Sequence, residues 1–192
     1  MSKMLTQNGK LKKTSELHGV KIMNFDLIGG VTCPFAGECK KYCYNKKFYK
    51  LYKAVRPKRV DNFQKSQQAR FSLEMLIEII ESQATHIRIH SDGDFYTREY
   101  LEKWIDLASA LPHVVFYAYT KSHPLINGLD ITLENFILIK SYGGTRDDLI
   151  KPDDRHAKVF NTAEEVPSDY IIANDDDLLA IGENKKIALI KH

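Results

Sequence analysis

Apolar positions along the chain alternate between two periods. Residues Lys21 to Ile28 form a first apolar-rich stretch, stopped by Gly29-Gly30, which reads as a strand. A helix is expected over Lys46 to Tyr52. A longer one is expected over Phe63 to Ser82, where Phe71, Met75, Leu76, Ile79 and Ile80 recur at helical spacing. His86 to His90 alternates as a strand and ends at Ser91-Asp92-Gly93-Asp94. Thr97 to Leu111 reads as a helix capped by Thr97, with Tyr100, Leu101, Trp104, Leu107 and Ala108 on one face and Pro112 just past its end. Val114 to Tyr119, Phe136 to Lys140 and Tyr170 to Ala173 add three strands, and Ile187 to Ile190 closes the chain as a hairpin or edge strand.

Strands separated by roughly 10 to 20 residues of helix call for parallel pairing with right-handed crossovers, so the expected class is α/β. A complete eight-fold barrel needs about 250 residues. With 192, the chain is expected to form a partial or trimmed (β/α) barrel-like parallel sheet with helices on the outside. No repeat or linker divides it, so residues 1–192 read as a single domain.

In such sheets ligands collect at the carboxyl ends of the strands. The distinctive residues map there in four groups. The cysteine loop follows the first strand, and His90 to Asp94 follow the second. Tyr119, Thr120, Lys121, Ser122 and His123 follow the third, and Lys140 to Gly144 the fourth.

The cysteine loop is the sharpest signal. Cys33, Cys39 and Cys43 are the only cysteines and fall within eleven residues as C-x5-C-x3-C, in a loop spanning 31–45. Three thiolates closing on one point leave a tetrahedral metal one ligand short, which opens it to chemistry. An iron-sulfur cluster is one occupant. Zinc is the rival, with His18, His90 or His123 as a fourth ligand, although structural zinc loops usually pair cysteines two to four residues apart.

Composition is that of a globular chain, and three closely spaced cysteines do not form a disulfide framework, so a reducing, cytoplasmic setting is expected. No apolar run approaches the roughly 18 residues that span a bilayer, so no membrane partner is expected. The net charge of +3 conceals an asymmetry. Lys40 to Phe71 holds eleven Lys or Arg and one acid, Asp61, giving +10 there and −7 elsewhere. Tyr42, Tyr44, Phe48, Tyr49, Tyr52, Phe63 and Phe71 are interleaved with this basic helical segment, residues 40–71. It could grip nucleic acid through Lys40 to Arg70; the plainer alternative is a solvated helix whose lysines offset a thiolate-bound cluster next door.

Three motifs together carry a resemblance. Cys33-Pro34-Phe35-Ala36 with Cys43-Tyr44, Arg88-Ile89-His90-Ser91-Asp92-Gly93-Asp94-Phe95 and Tyr119-Thr120-Lys121-Ser122 are similar to the pattern of the phage-encoded "gene product 88" family. That family in turn resembles a distant, shortened branch of the radical S-adenosylmethionine enzymes. The likeness implies a 4Fe-4S (or 3Fe-4S) cluster on Cys33, Cys39 and Cys43 with one iron free of protein ligands, and it implies the host cell cytoplasm as location. Tyr42 stands where an aromatic precedes the last cysteine, and Ser91 to Asp94 stand where that superfamily binds the amino group of S-adenosylmethionine. The cysteine spacing and the single glycine depart from its pattern.

Each polar residue has a functional and a bland reading. His90, Asp94 and Lys121 are the candidate catalytic groups for a small-molecule substrate; Asp92, Gly93, Tyr119, Ser122 and Lys140 are the candidate cofactor-binding ones. The alternatives are a buried histidine, a helix cap at Asp94, a tight turn at Asp92-Gly93 and solvated lysines. The acidic pairs Asp147-Asp148 and Asp153-Asp154 and the run Asp175 to Asp177 lack calcium-loop spacing and read as surface. Two classes follow. One is an enzyme whose open iron is a Lewis acid for ester cleavage or dehydration, or binds S-adenosylmethionine for radical chemistry. The other is a nucleic-acid-binding phage accessory protein with a structural zinc or cluster.

Overall fold

The computed structural model describes residues 2–41, 43 and 45–191, so the expectations placed on Tyr42 and Tyr44 lie outside the described residues, as do the side chains of Lys46 and Lys47. Seven strands form one sheet: β1 (Ile22–Phe25), β2 (His86–Ile89), β3 (Val115–Thr120), β4 (Phe136–Ser141), β5 (His156–Phe160), β6 (Ile171–Ile172) and β7 (Lys186–Ile190). Their order is β1-β2-β3-β4-β5-β7-β6 and every pairing is parallel, so the fold is an α/β half-barrel with helices around it. The helices are α1 (Gly9–His18), α2 (Asn45–Leu51), α3 (Val55–Ser66), α4 (Phe71–Ser82), α5 (Arg98–Ala110) and the one-turn α6 (His123–Ile126).

Register places alternate side chains on two faces. Phe25, Ile87, Ile89, Phe116 and Ala118 meet the stripes of α4 and α5, with Trp104 and Phe71 at the centre of this outer core. Burying rings of this size contributes about 2–3 kcal/mol each. The inner face carries Asn24, Arg88, Tyr117, Tyr119, Ile137 and Ile139. Leu11 of α1 and Leu178 pack there against Ile22 and Tyr117. Asp177 is buried in that layer, holding Lys10 at 2.5 Å, Arg88 at 2.6 Å and the Tyr117 hydroxyl at 2.9 Å, which offsets the desolvation of its charge.

Four local expectations change. The helix over Phe63 to Ser82 is two helices, because Lys103 of α5 donates its Nζ to the carbonyls of Ser66 (2.9 Å) and Gln68 (3.4 Å) and so caps the end of α3. The closing strand is neither hairpin nor edge: β7 is interior, between β5 and the two-residue edge strand β6. His156–Phe160 forms a strand that the pattern did not show. The polar N-terminal stretch holds α1, capped by Asn8, whose side chain accepts from Leu11 N at 3.0 Å, and ended by Gly19 at φ +64°. The Thr97 cap forms as expected, accepting from Tyr100 N at 3.2 Å.

Candidate metal centre

The first four strand ends meet on one rim. The cysteine loop is tied to the turn after β4 by Thr145 N donating to Phe35 O (2.9 Å) and by Cys39 N donating to Gly143 O (3.4 Å). It also packs on the loop after β2. Gly93, at φ +87°, lies so close to Leu27 and Thr32 that a Cβ would stand 2.6 Å from Leu27 Cβ and 2.7 Å from Thr32 Oγ1. Asp94 joins this loop to the end of β3: Thr120 Oγ1 (2.6 Å) and Phe95 N (2.8 Å) donate to its Oδ1, Lys121 N (2.8 Å) to its Oδ2. Burial raises the Asp94 carboxyl, and these donors pull it back.

Cys33, Cys39 and Cys43 line one cavity of about 250 Å³, with Gly29 and Gly30 on one side and Lys40 on another. Cys39 is exposed and the other two are half-buried. Gly30 N donates to Cys33 Sγ at 3.4 Å. Burial pushes the Cys33 thiol up to about 12; the Gly30 donor opposes this, while Asp94, Asp92 and Cys39 add to it. Among the described residues, no three His, Cys, Asp or Glu side chains converge closely enough to hold a metal ion. Seating one requires the loop to draw in around it.

Behind the cavity lies a polar cluster absent from the sequence reading. Asp92 is buried and accepts from Arg59 NH1 at 2.5 Å, from Asn45 Nδ2 and from the Tyr49 hydroxyl. Arg59 also donates to Asn45 Oδ1 (3.1 Å) and to Asp26 Oδ2 (3.3 Å), and Asp26 Oδ1 accepts from Ser91 N (2.7 Å) and Asp92 N (3.1 Å). Asn45 and Tyr49 line the cavity, so this cluster moors α2 and α3 beneath the cysteines. Burial raises the Asp92 carboxyl against the pull of Arg59. Asp26 was the available signal: a carboxylate inside an apolar stretch is buried only when paired.

The other candidate residues lie off the cavity. His90 is 3% exposed with φ +66°; its ring packs on Phe95, and its Nε2 and the Tyr100 hydroxyl share a 2.8 Å hydrogen bond. Burial holds its pKa down at about 3. Lys140 pairs with Asp154 at 2.6 Å, and Ser122 Oγ donates to Phe95 O at 2.6 Å. Tyr119 sits on the inner face with the Arg88 guanidinium 5.3 Å from its ring centre. The Lys121 side chain runs beside Gly143 and Gly144, next to the cysteine loop. His18 pairs with Asp176 at 2.7 Å, and His123 meets Ser141 O at 3.2 Å.

Fold and site together define an α/β half-barrel protein with a three-thiol cavity on its strand-end rim. The chain belongs to the Gene product 88 family, whose model matches residues 2–192. It is similar to the "Gene 88 protein" of Mycobacterium phage L5, with 33% identity over 104 residues that cover 48% of this chain and 44% of that protein. The aligned stretch thus spans less than half the length of this curated relative. No solved structure matches the chain. Among the described residues, no helix is long and apolar enough to cross a membrane.

Proposed function

We propose that this protein is an iron-sulfur enzyme in which Cys33, Cys39 and Cys43 hold a 4Fe-4S cluster. The observation that carries this reading is the meeting of all three thiols on one cavity at the carboxyl ends of a parallel sheet. Three thiols are the donors such a group takes, and the loop must draw in to bring them onto one centre. A cavity of about 250 Å³ has room for a polynuclear centre. No histidine is among its lining residues, so the protein supplies three ligands there and leaves one metal position to a substrate. When bound, such a cluster supplies an iron that acts as a Lewis acid on a substrate oxygen or activates water.

The chain's own groups then have definite tasks. Gly30 N–H, aimed at Cys33 Sγ, favours the thiolate over the thiol. Tyr49, pinned by Asp92 and by Gly29 N (3.0 Å), fixes one wall, and Lys40 places a cation at the mouth for an anionic substrate group. The likeness to radical S-adenosylmethionine enzymes belongs to the same proposal. Lewis-acid cleavage or dehydration is the favoured chemistry, because Asp92 is saturated by Arg59, Asn45 and Tyr49, and Tyr119 faces away under Arg88.

Anaerobic purification with iron and acid-labile sulfide analysis tests the reading. About four irons and four sulfides per chain with broad absorption near 400 nm are expected. A colourless protein carrying stoichiometric zinc refutes it. Loss of the 400 nm band in each of Cys33→Ser, Cys39→Ser and Cys43→Ser is the second expectation.

A further inference from the structure

Residues 48–56 present an exposed surface, next in the chain to the cavity-lining Asn45, that cluster ligation does not use. Phe48 and Tyr52, one helical turn apart, are 37% and 53% exposed, with ring centres 4.6 Å apart and planes tilted by 40°. Leu51, beside Tyr52 in the chain, is 65% exposed as well. Lys40, Lys50, Lys53 and Arg56 are exposed around it and pair with no carboxylate among the described residues. The neighbouring cations are committed: Lys41 to Glu38, Lys65 to Asp61, and Arg59 to Asp26 and Asp92. Four unpaired cations around two open rings suit a ligand with many phosphates and flat, unpaired bases. α2 has seven residues, well short of the amphipathic helices that lie in membrane surfaces.

We propose that this surface binds single-stranded nucleic acid and leads it into the cysteine cavity, so that the substrate of the site is a nucleic-acid strand. Lys40, exposed, lines the cavity together with Tyr49, the residue next to Phe48 in α2. On this proposal a strand whose bases stack on Phe48 and Tyr52 and whose phosphates meet Lys50, Lys53 and Arg56 reaches the thiols past Tyr49 and Lys40. A single strand is required because paired bases in a duplex do not offer their faces to protein rings. The substrate assignment rests on the cluster reading; the binding surface stands without it.

Fluorescence anisotropy of a labelled thymidylate oligonucleotide of about 12 residues tests this directly on the full-length protein. With four phosphate contacts at about 0.7 each, log K falls with log salt at a slope of about −3, or about 50-fold from 50 to 200 mM. Lys50→Glu with Lys53→Glu and Arg56→Glu abolishes binding. Tyr52→Ala weakens the oligonucleotide about tenfold and leaves heparin, a polyanion without bases, unchanged. Circular dichroism shows each variant to be folded. No binding at 50 mM salt, equal loss of heparin and oligonucleotide in Tyr52→Ala, or tighter capture by phosphatidylserine vesicles would each overturn the proposal. Iron and sulfide are measured on the same samples: a cluster without strand binding overturns this inference alone, whereas strand binding without a cluster overturns the enzyme reading and the substrate assignment with it and leaves the binding surface standing.

Discussion

Acid exposes the state of His90. The folded ring is buried and stays neutral until about pH 3, whereas an unfolded histidine takes up its proton near pH 6.5. Between those values the unfolded chain binds one more proton at this residue, so falling pH favours unfolding. At about 1.36 kcal/mol per pH unit, going from pH 7 to pH 4.5 removes about 2–3 kcal/mol through His90 alone. That is a large part of the roughly 5–15 kcal/mol of a typical domain. Urea unfolding followed by the fluorescence of the single tryptophan, Trp104, measures it at half-unit pH steps. The comparison is with His90→Asn, since asparagine tolerates the φ of +66° at this position. Between pH 6 and 4 the stability of the variant is expected to fall less steeply by about 1.36 kcal/mol per pH unit. Equal slopes would refute the buried neutral ring and return His90 to the list of groups titrating in the open.

The cluster beneath the cavity is equally testable. Arg59→Met strands Asp26 and Asp92 without their shared cation and is expected to cost about 3–5 kcal/mol in urea unfolding, with Arg59→Lys recovering part because an ammonium cannot span both carboxylates. Gly93→Ala forces a Cβ onto Leu27 and Thr32 at φ +87° and is expected to cost about 2 kcal/mol or more, with faster proteolysis of the cysteine loop as the local readout. Trp104→Ala, at the centre of the outer core, is expected to cost about 3–5 kcal/mol by circular dichroism melts.

What the sequence reveals here is whatever is local. Strand ends were legible to within a few residues because alternation stops near Gly29-Gly30, Asp92-Gly93 and Gly143-Gly144, although β1 already ends at Phe25, before the paired carboxylate of Asp26, and not at Ile28. The Thr97 cap was legible because its hydroxyl needs only the next turn of helix. The convergence of strand ends followed from parallel pairing. The break between α3 and α4 was not legible, because its cause is Lys103, some 35 residues away in sequence. Nor was the interior place of β7, since strand order is a property of the assembled sheet. In the site, the cysteines announced themselves by spacing. Arg59 did not: among eleven basic residues nothing marks the one that is buried, and its value depends on Asp26 and Asp92 arriving from β1 and from the loop after β2. Asp92, Asp94 and Ser122 also tie strand ends together, a task for which the same residue types serve as for binding ligands and which the sequence does not separate from it.

If Cys33, Cys39 and Cys43 hold a 4Fe-4S cluster, one iron is left to the substrate. Mössbauer spectroscopy of protein grown on iron-57 reads that iron directly. One subsite distinct from the other three, shifting when an oxygen ligand such as citrate is added, is expected of the proposed cluster. Four irons that ignore added ligand, or iron bound without sulfide, would contradict it.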